Sequence, residues 1–422
     1  MKKSGAVALG LVTLLCGLLA GCALESSGDK RQQLESLAPT ETLPGSYILL
    51  DSSGTQVSKA EPESLDDAVQ KEPAAQTPLG DPYPLGNVDD NYSFGTFLPD
   101  GRILGSVSTA GTGRQFVVGG TDNRVIVTKI ERPADYDPRC SPDGPVVIHN
   151  ERLFWVEYCH ETLTTSIDWK ILSSQEDFSD TRIFLESTPD LGISRNTAGG
   201  FARLGLQVAN RGVLVTGTDW SGVLEEGGQW RPHVSSADKS VGFYGVGKGG
   251  EVLVATVKDQ EIAIGQVAKG ESGADMPVSV RVPKPFHLLK FLATDSLALL
   301  IVQEDNSSQR VALVVNLETK KLEHVWELSP DDAFAVSGHD LFVRHVPENV
   351  TTEAGQVNPY LLRFTKGGAR LVNLGWSPIA LPPGLGSDTW IAVDGGRMAL
   401  ESSWATHAET LADRIRWDVF AT

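Results

Sequence analysis

The chain has 422 residues, 41% of them hydrophobic, with 43 glycines, 23 prolines and a formal net charge of −18. A charge of that sign repels phosphate backbones and anionic lipid headgroups, which disfavours both nucleic acid as a partner and adsorption to acidic membranes, so no nucleic-acid partner is expected. The length exceeds most single domains, but an all-β repeat architecture reaches it with one extended core, and so much glycine and proline suits a fold with many tight turns.

Residues 1–21 read as an export signal. Lys2 and Lys3 precede the apolar run Ala6-Val7-Ala8-Leu9-Gly10-Leu11-Val12-Thr13-Leu14-Leu15, which is short for a spanning helix. Small residues then stand directly before a cysteine, where a peptidase needs an extended backbone with little side-chain bulk. The tetrad Leu19-Ala20-Gly21-Cys22 resembles the lipobox of bacterial lipoproteins. The resemblance implies that Cys22 becomes a lipid-modified N-terminus, that Cys16 is discarded with the signal, and that the chain is held on the extracytoplasmic side of a cell membrane or outer membrane. The competing readings are a soluble export signal and an N-terminal membrane anchor.

From 22 to 82 the composition turns to Ser, Pro, Glu, Asp and Gln with few aromatics, too little apolar surface to offset chain entropy, so a lipid-anchored flexible tether is expected. The coil over 23–80, about 58 residues, would reach roughly 40 Å. One island, Gly45-Ser46-Tyr47-Ile48-Leu49-Leu50-Asp51-Ser52-Ser53-Gly54, has the pattern of a strand and a turn. It either adds a strand to the folded body or forms a transient element of the stem, and its surroundings favour the stem.

Residues 83–422 carry a recurrent unit, a turn followed by an apolar strand. Leu98-Pro99-Asp100-Gly101-Arg102-Ile103-Leu104 is one copy, and Cys140-Ser141-Pro142-Asp143-Gly144 leading to Leu153-Phe154-Trp155-Val156 is read as another. Looser copies begin at Ala209, Gly249, Thr294, Gly338 and Asp394. Proline presets φ for such a turn, aspartate bonds its own backbone and glycine takes positive φ. Further strand-like runs span 114–118, 124–130, 166–172, 311–317 and 360–364. A spacing of roughly 40 to 60 residues suits a four-stranded propeller blade. The expected fold is therefore an all-β propeller of seven blades, six or eight being the alternatives. The Leu-Pro-Asp-Gly-Arg and Ser-Pro-Asp-Gly units resemble the repeats of TolB-like propellers, which implies a scaffold of the cell envelope. The segment from Val311 to Trp326 is instead similar to a quinoprotein-like blade.

Cys140 and Cys159 are expected to form a disulfide, which an exported protein can keep; closing a loop of about 18 residues contributes roughly 3 kcal/mol on the chain-entropy model. Two buried free thiols are the alternative. No catalytic residue, metal site or cofactor emerges. There is no Gly-x-Ser-x-Gly elbow and no sialidase box, and His160-Glu161 lacks the second histidine of a zincin. His339 and His345 stand too far apart along a strand to share a metal. Asp89-Asp90-Asn91 lacks the remainder of a calcium loop, and in the adjacent pairs Asp89-Asp90 and Glu225-Glu226 the two carboxylates would point to opposite faces of a strand. Trp155, Trp169 and Trp326 lie in apolar strand patterns and read as packing.

The expected function is a non-enzymatic, membrane-anchored propeller that binds another cell-envelope protein. A small-molecule or glycan binder and a propeller hydrolase or lyase are the alternatives, to be separated by what lines the central channel. Partner contacts are expected on four polar loops longer than hairpins need: 160–165 with His160 and Glu161, 304–309 with Glu304 and Asp305, 347–357 with Glu348 and Glu353, and 405–412 with His407 and Glu409.

Overall fold

The structure is a computed structural model. It describes residues 45–68, 83–84, 91–109, 113–119, 125–127, 130, 132–133, 136–159, 166–191, 193–194, 204–217, 220–233, 242–267, 274–329, 332–337, 340–347, 360–365, 370–376, 391–394, 397–403 and 415–421. All of them belong to one compact unit, Leu43–Thr422. Among the described residues no helix is long and apolar enough to cross a membrane.

Among the described residues the strands form seven sheets in chain order, antiparallel throughout their repeat strands. Sheet 1 holds Asn91–Phe97, Ile103–Thr109, Gly113–Gly119 and Val125–Val127. Sheet 2 holds Cys140–His149, Arg152–Cys159, Ser166–Gln175 and Arg182–Glu186. Sheet 3 holds Gly205–Ala209, Gly212–Thr216, Ser221–Glu225 and Trp230–His233. Sheet 4 holds Gly242–Val246, Val252–Lys258, Glu261–Val267 and Ala274–Arg281. Sheet 5 holds Phe286–Ala293, Leu297–Glu304, Arg310–Asn316 and Lys321–Leu328. Sheet 6 holds Ala333–Ser337, Asp340–His345, Tyr360–Thr365 and Arg370–Trp376. Sheet 7 holds Ile391–Asp394, Arg397–Ser403 and Ile415–Ala421, and takes its fourth strand, Tyr83–Pro84, from far earlier in the chain.

The first strands of consecutive sheets pack against one another, and that of sheet 7 packs against that of sheet 1, so the ring closes. This is an all-β propeller. The strand contributed by Tyr83–Pro84 ties the beginning of the repeats to their end. Second strands lie between neighbouring sheets and are buried on both faces, which is why Leu297-Ala298-Leu299-Leu300-Ile301-Val302 is an unbroken apolar run instead of an alternating one. The cores sit between sheets: Leu104, Phe116, Leu153 and Trp155 join sheets 1 and 2, and Leu300, Leu313, Val280 and Ile262 join sheets 4 and 5. Trp155, Trp169 and Trp326 are fully buried there, as packing tryptophans should be.

Two sequence expectations are corrected. Pro142-Asp143-Gly144 does not form the turn before Leu153; it lies inside the strand Cys140–His149, at a break in register where Trp155 pairs with Val146 and Glu157 with Pro142. The turn is Asn150-Glu151, both at positive φ (49° and 61°), the conformation that matches the twist of a two-residue hairpin. Turn-forming chemistry has here been absorbed as a bulge.

The second correction concerns the tether expected over 22–82. The island at 45–54 belongs to the folded body: Tyr47–Asp51 pairs with the fourth strand of sheet 4, and Gln56–Ala60 folds back on it as a sixth strand. Glu63–Ser64 then pairs in parallel with the fourth strand of sheet 5, and a short helix, Leu65–Ala68, follows. Tyr47, Leu49 and Leu65 are 0–1% exposed, so this strap contributes to the cores of two sheet pairs.

Candidate functional site

In each antiparallel sheet the chain reverses at every strand, so first-to-second and third-to-fourth turns share one end while second-to-third loops and sheet-to-sheet connections share the other. Tight turns lie at both ends, since the two-residue turn Asp259-Gln260 joins the second and third strands of sheet 4, but those with the Asp-Gly chemistry are at the first end. At Leu98–Arg102, Gly101 takes φ of 92°, its N–H donates to the Leu98 carbonyl at 2.9 Å, and Asp100 accepts from the Arg102 backbone at 3.0 Å. At this end too, Glu226 accepts from the Asn150 amide and lies 3.5 Å from His149 Nε2, while Glu225 pairs with Arg231 at 2.7 Å.

The four loops expected to carry contacts are all second-to-third connections. They follow Cys159 in sheet 2, Glu304 in sheet 5, His345 in sheet 6 and Ser403 in sheet 7. His160, Glu161, Glu348, Glu353, His407 and Glu409 lie outside the described residues, as do Cys22, Asp89, Asp90 and His339. The loop at 304–309 is described, and it is a closed turn, contrary to the expectation of surplus length. Glu304 N–H donates to the Gln309 carbonyl at 3.3 Å and Ser307 N–H to the Glu304 carbonyl at 3.2 Å. Its two acids are also engaged, Glu304 with Lys284 at 2.8 Å and Asp305 with His287 at 3.2 Å.

The base of the 160–165 loop is covalently fixed. Cys140 and Cys159 face each other in register and are joined, with Cα atoms 3.9 Å apart. Asp137 stands within 4.8 Å of both sulfurs, but these are bonded to each other and its carboxylate is held by Arg139 at 2.7 Å, so the group offers no thiolate pair for a metal. On the same strand as Cys159, Glu157 is fully buried. Trp155 Nε1–H donates to it at 3.0 Å and Arg132 Nη2–H at 3.1 Å. Burial pushes its carboxyl up to about 7, against the opposing pull of the Arg132 charge and hydrogen bond.

The base of the 347–357 loop is fixed by polar bonds. His345 ends the second strand of sheet 6 and is buried; its Nδ1 lies 2.9 Å from Asp332 Oδ1, and its Nε2 lies 2.6 Å from Asp66 Oδ1 on the strap. Asp332 also accepts from the backbone of Val346 at 2.8 Å and of Ser329 at 2.9 Å, so one carboxylate organises the sheet 5 to sheet 6 connection. Burial pulls the imidazole down, yet the bonds and charges of Asp332 and Asp66 together outweigh it and hold His345 above its ordinary value. Sequence reasoning missed this cluster and Glu157. No spacing rule connects positions 66, 332 and 345; the one available signal is that His345 closes an apolar strand, where an uncompensated imidazole would be costly.

The innermost strands are the first strands of the seven sheets, which contact one another around the ring. They carry two carboxylates, Asp143 and Asp394, and two histidines, His149 and His287. His287 sits near the start of its strand and pairs with Asp305, whereas His149 ends its strand beside Glu226, so the two histidines occupy opposite ends of their sheets. These strands also expose Val208 and Leu289, 42% and 43% accessible. His287 and Lys290 are exposed on the same strand as Leu289.

No protein-family model matches the chain, and no curated protein matches it. Its similarity is to solved propeller structures. Oligopeptidase B from Trypanosoma brucei aligns at 10% identity and a TM-score of 0.44 over 76% of this chain and 46% of that one. The α-L-arabinanase of Penicillium chrysogenum aligns at 11% and 0.40 over 82% and 97%, and the Pan2 WD40 domain of Neurospora crassa at 12% and 0.35 over 60% and 74%. The chain spans about half the length of the peptidases it matches.

Proposed function

We propose that this chain is a lipid-anchored, extracytoplasmic propeller that serves as a non-enzymatic scaffold for another cell-envelope protein, each of its seven sheets counting as one blade. The observation that carries the binding reading is the pair of fixed loop bases. Two loops of one end rise from rigid ground, at 160–165 from the Cys140–Cys159 bond and at 347–357 from His345, Asp332 and Asp66. Binding residues concentrate on loops that a rigid scaffold positions. The anchoring reading rests on Leu19-Ala20-Gly21-Cys22, and the disulfide supports an oxidising compartment.

Two measurements test this. Cys22→Ser should release the chain from the membrane fraction and block processing after Gly21; processing and retention without Cys22 would remove the lipid. Shortening 347–357 should leave folding intact but abolish recovery of crosslinked partners from membranes. Undiminished recovery, there and on shortening 160–165, would place the contact elsewhere.

A further inference from the structure

We propose that His345 is an acid-strengthened latch that holds the end of the strap, residues 63–68, against sheets 5 and 6. The geometry demands it. Nδ1 and Nε2 of one buried imidazole each face a carboxylate oxygen, at 2.9 Å on Asp332 and 2.6 Å on Asp66. A neutral imidazole has one N–H and one lone pair, so it can donate to only one of these acids and turns its lone pair on the other; only the imidazolium donates to both. Asp332 is fully buried and pinned by the Val346 and Ser329 N–H groups, whereas Asp66 is partly exposed and can turn to water, so the bond surrendered on deprotonation is the one to Asp66.

The charges acting on His345 are those of Asp332, from the sheet-to-sheet connection, and Asp66, from the strap. Tyr360 lies opposite it on the third strand, and Arg310 reaches the same connection by donating to the Ser329 carbonyl at 2.7 Å. Docking of Asp66 raises the proton affinity of His345, so by linkage protonation favours docking. The gain is complete below the pKa His345 has with the strap end released and is lost as pH rises through its raised value in the docked state.

The rest of the strap provides an internal reference. Tyr47–Asp51 is held by a full ladder to sheet 4 and by burial of Tyr47 and Leu49, with no histidine at its contact. The 63–68 end has a two-residue parallel pairing, the buried Leu65 and the Asp66 bond. The latch therefore acts on one end of the strap, beside the base of the 347–357 loop, and it does not depend on what that loop binds.

The test is hydrogen–deuterium exchange of the full chain at pH 5.5 and pH 9, corrected for the intrinsic pH dependence of amide exchange. Protection across 63–68 should fall about tenfold or more at the higher pH, as expected for loss of one charge-assisted hydrogen bond, while protection of 48–51 stays constant. Asp66→Asn, at a partly exposed position, should abolish the pH dependence, because an amide can either accept from the imidazole or donate to it; His345→Gln should do the same. Equal protection of 63–68 at the two pH values in the unaltered chain would overturn the latch, and so would a pH dependence that survives in Asp66→Asn, since it would then belong to the His345–Asp332 pair alone.

Discussion

Glu157 offers the sharpest test of the electrostatic reasoning. It is fully buried, receives bonds from Trp155 and Arg132, and has a carboxyl pushed by burial from a usual 4.5 up to about 7. Because the folded chain holds this proton to higher pH than the unfolded chain does, stability falls as pH rises between about 4.5 and 7, by about 3 kcal/mol in total. Glu157→Gln removes the charge, keeps an oxygen to accept from Trp155, and leaves Arg132, about one-third exposed, to rehydrate. Allowing about 1 kcal/mol for an amide group left imperfectly paired, the variant should be more stable at pH 8 by about 2 kcal/mol. For a cooperative unit of about 340 residues that is a rise in Tm of about 3 °C. Thermal unfolding followed by circular dichroism at pH 5, 6, 7 and 8 reads it directly: the pH dependence in this window should flatten, and the two curves should separate most at pH 8. A variant less stable than the parent at pH 8, or one with the same slope through the window, would mean that Arg132 fully compensates the buried charge.

Three further outcomes follow from packing and covalent structure. Leu65→Ala, at a position with no exposure, should weaken docking of the strap end by about 3 kcal/mol, seen as faster amide exchange over 63–68 without change in sheet 7. Replacing Cys140 and Cys159 by alanine should lower stability to urea by about 3 kcal/mol, and in the unaltered, unreduced protein neither cysteine should react with an alkylating agent. Gly250→Ala should cost about 1–3 kcal/mol in the same assay, because Gly250 has φ of 75° and an added Cβ would collide with the backbone of Asn210, whose N–H donates to the Gly250 carbonyl at 2.9 Å.

Much of the fold could be read before the structure, for a physical reason. A propeller blade is a local meander whose turns leave their chemistry in adjacent residues: the units at Leu98, Ala209, Gly249, Thr294, Gly338 and Asp394 all fall where a first strand gives way to a second. The strand-like runs at 114–118, 166–172, 311–317 and 360–364 lie on third strands for the same reason. One of the two fullest units, Pro142-Asp143-Gly144, misleads because turn residues specify a reversal only when a partner strand begins directly after them. Here Val146-Val147-Ile148-His149 still pairs with the second strand, and Asn150-Glu151, a weaker signal by composition, makes the reversal. Pairing in register across that hairpin is also what brings Cys140 and Cys159 together, so the disulfide expectation holds although the turn assigned to it does not.

The strap was illegible for the opposite reason: its partners are distant. Ile48-Leu49-Leu50-Asp51 meets Val278–Arg281, and Asp66 meets His345 across 279 positions, so nothing local marks the segment as part of the body. What the sequence does show is an apolar run amid polar composition, and polar composition predicts a stem only if no edge is waiting. A ring of four-stranded sheets exposes the outer edge of every fourth strand, with backbone groups left to water or to another chain. In sheet 4 that edge is taken by Tyr47–Asp51, and in sheet 5 it is met by Glu63–Ser64. A short apolar or polar segment outside the repeats thus gains pairing partners that no repeat signature can announce, and here it also carries the carboxylate that completes the coordination of a buried histidine beneath a second-to-third loop. The edge left by the repeats and the charge brought by the strap are therefore complementary halves of one contact, and a reading confined to the repeats sees neither.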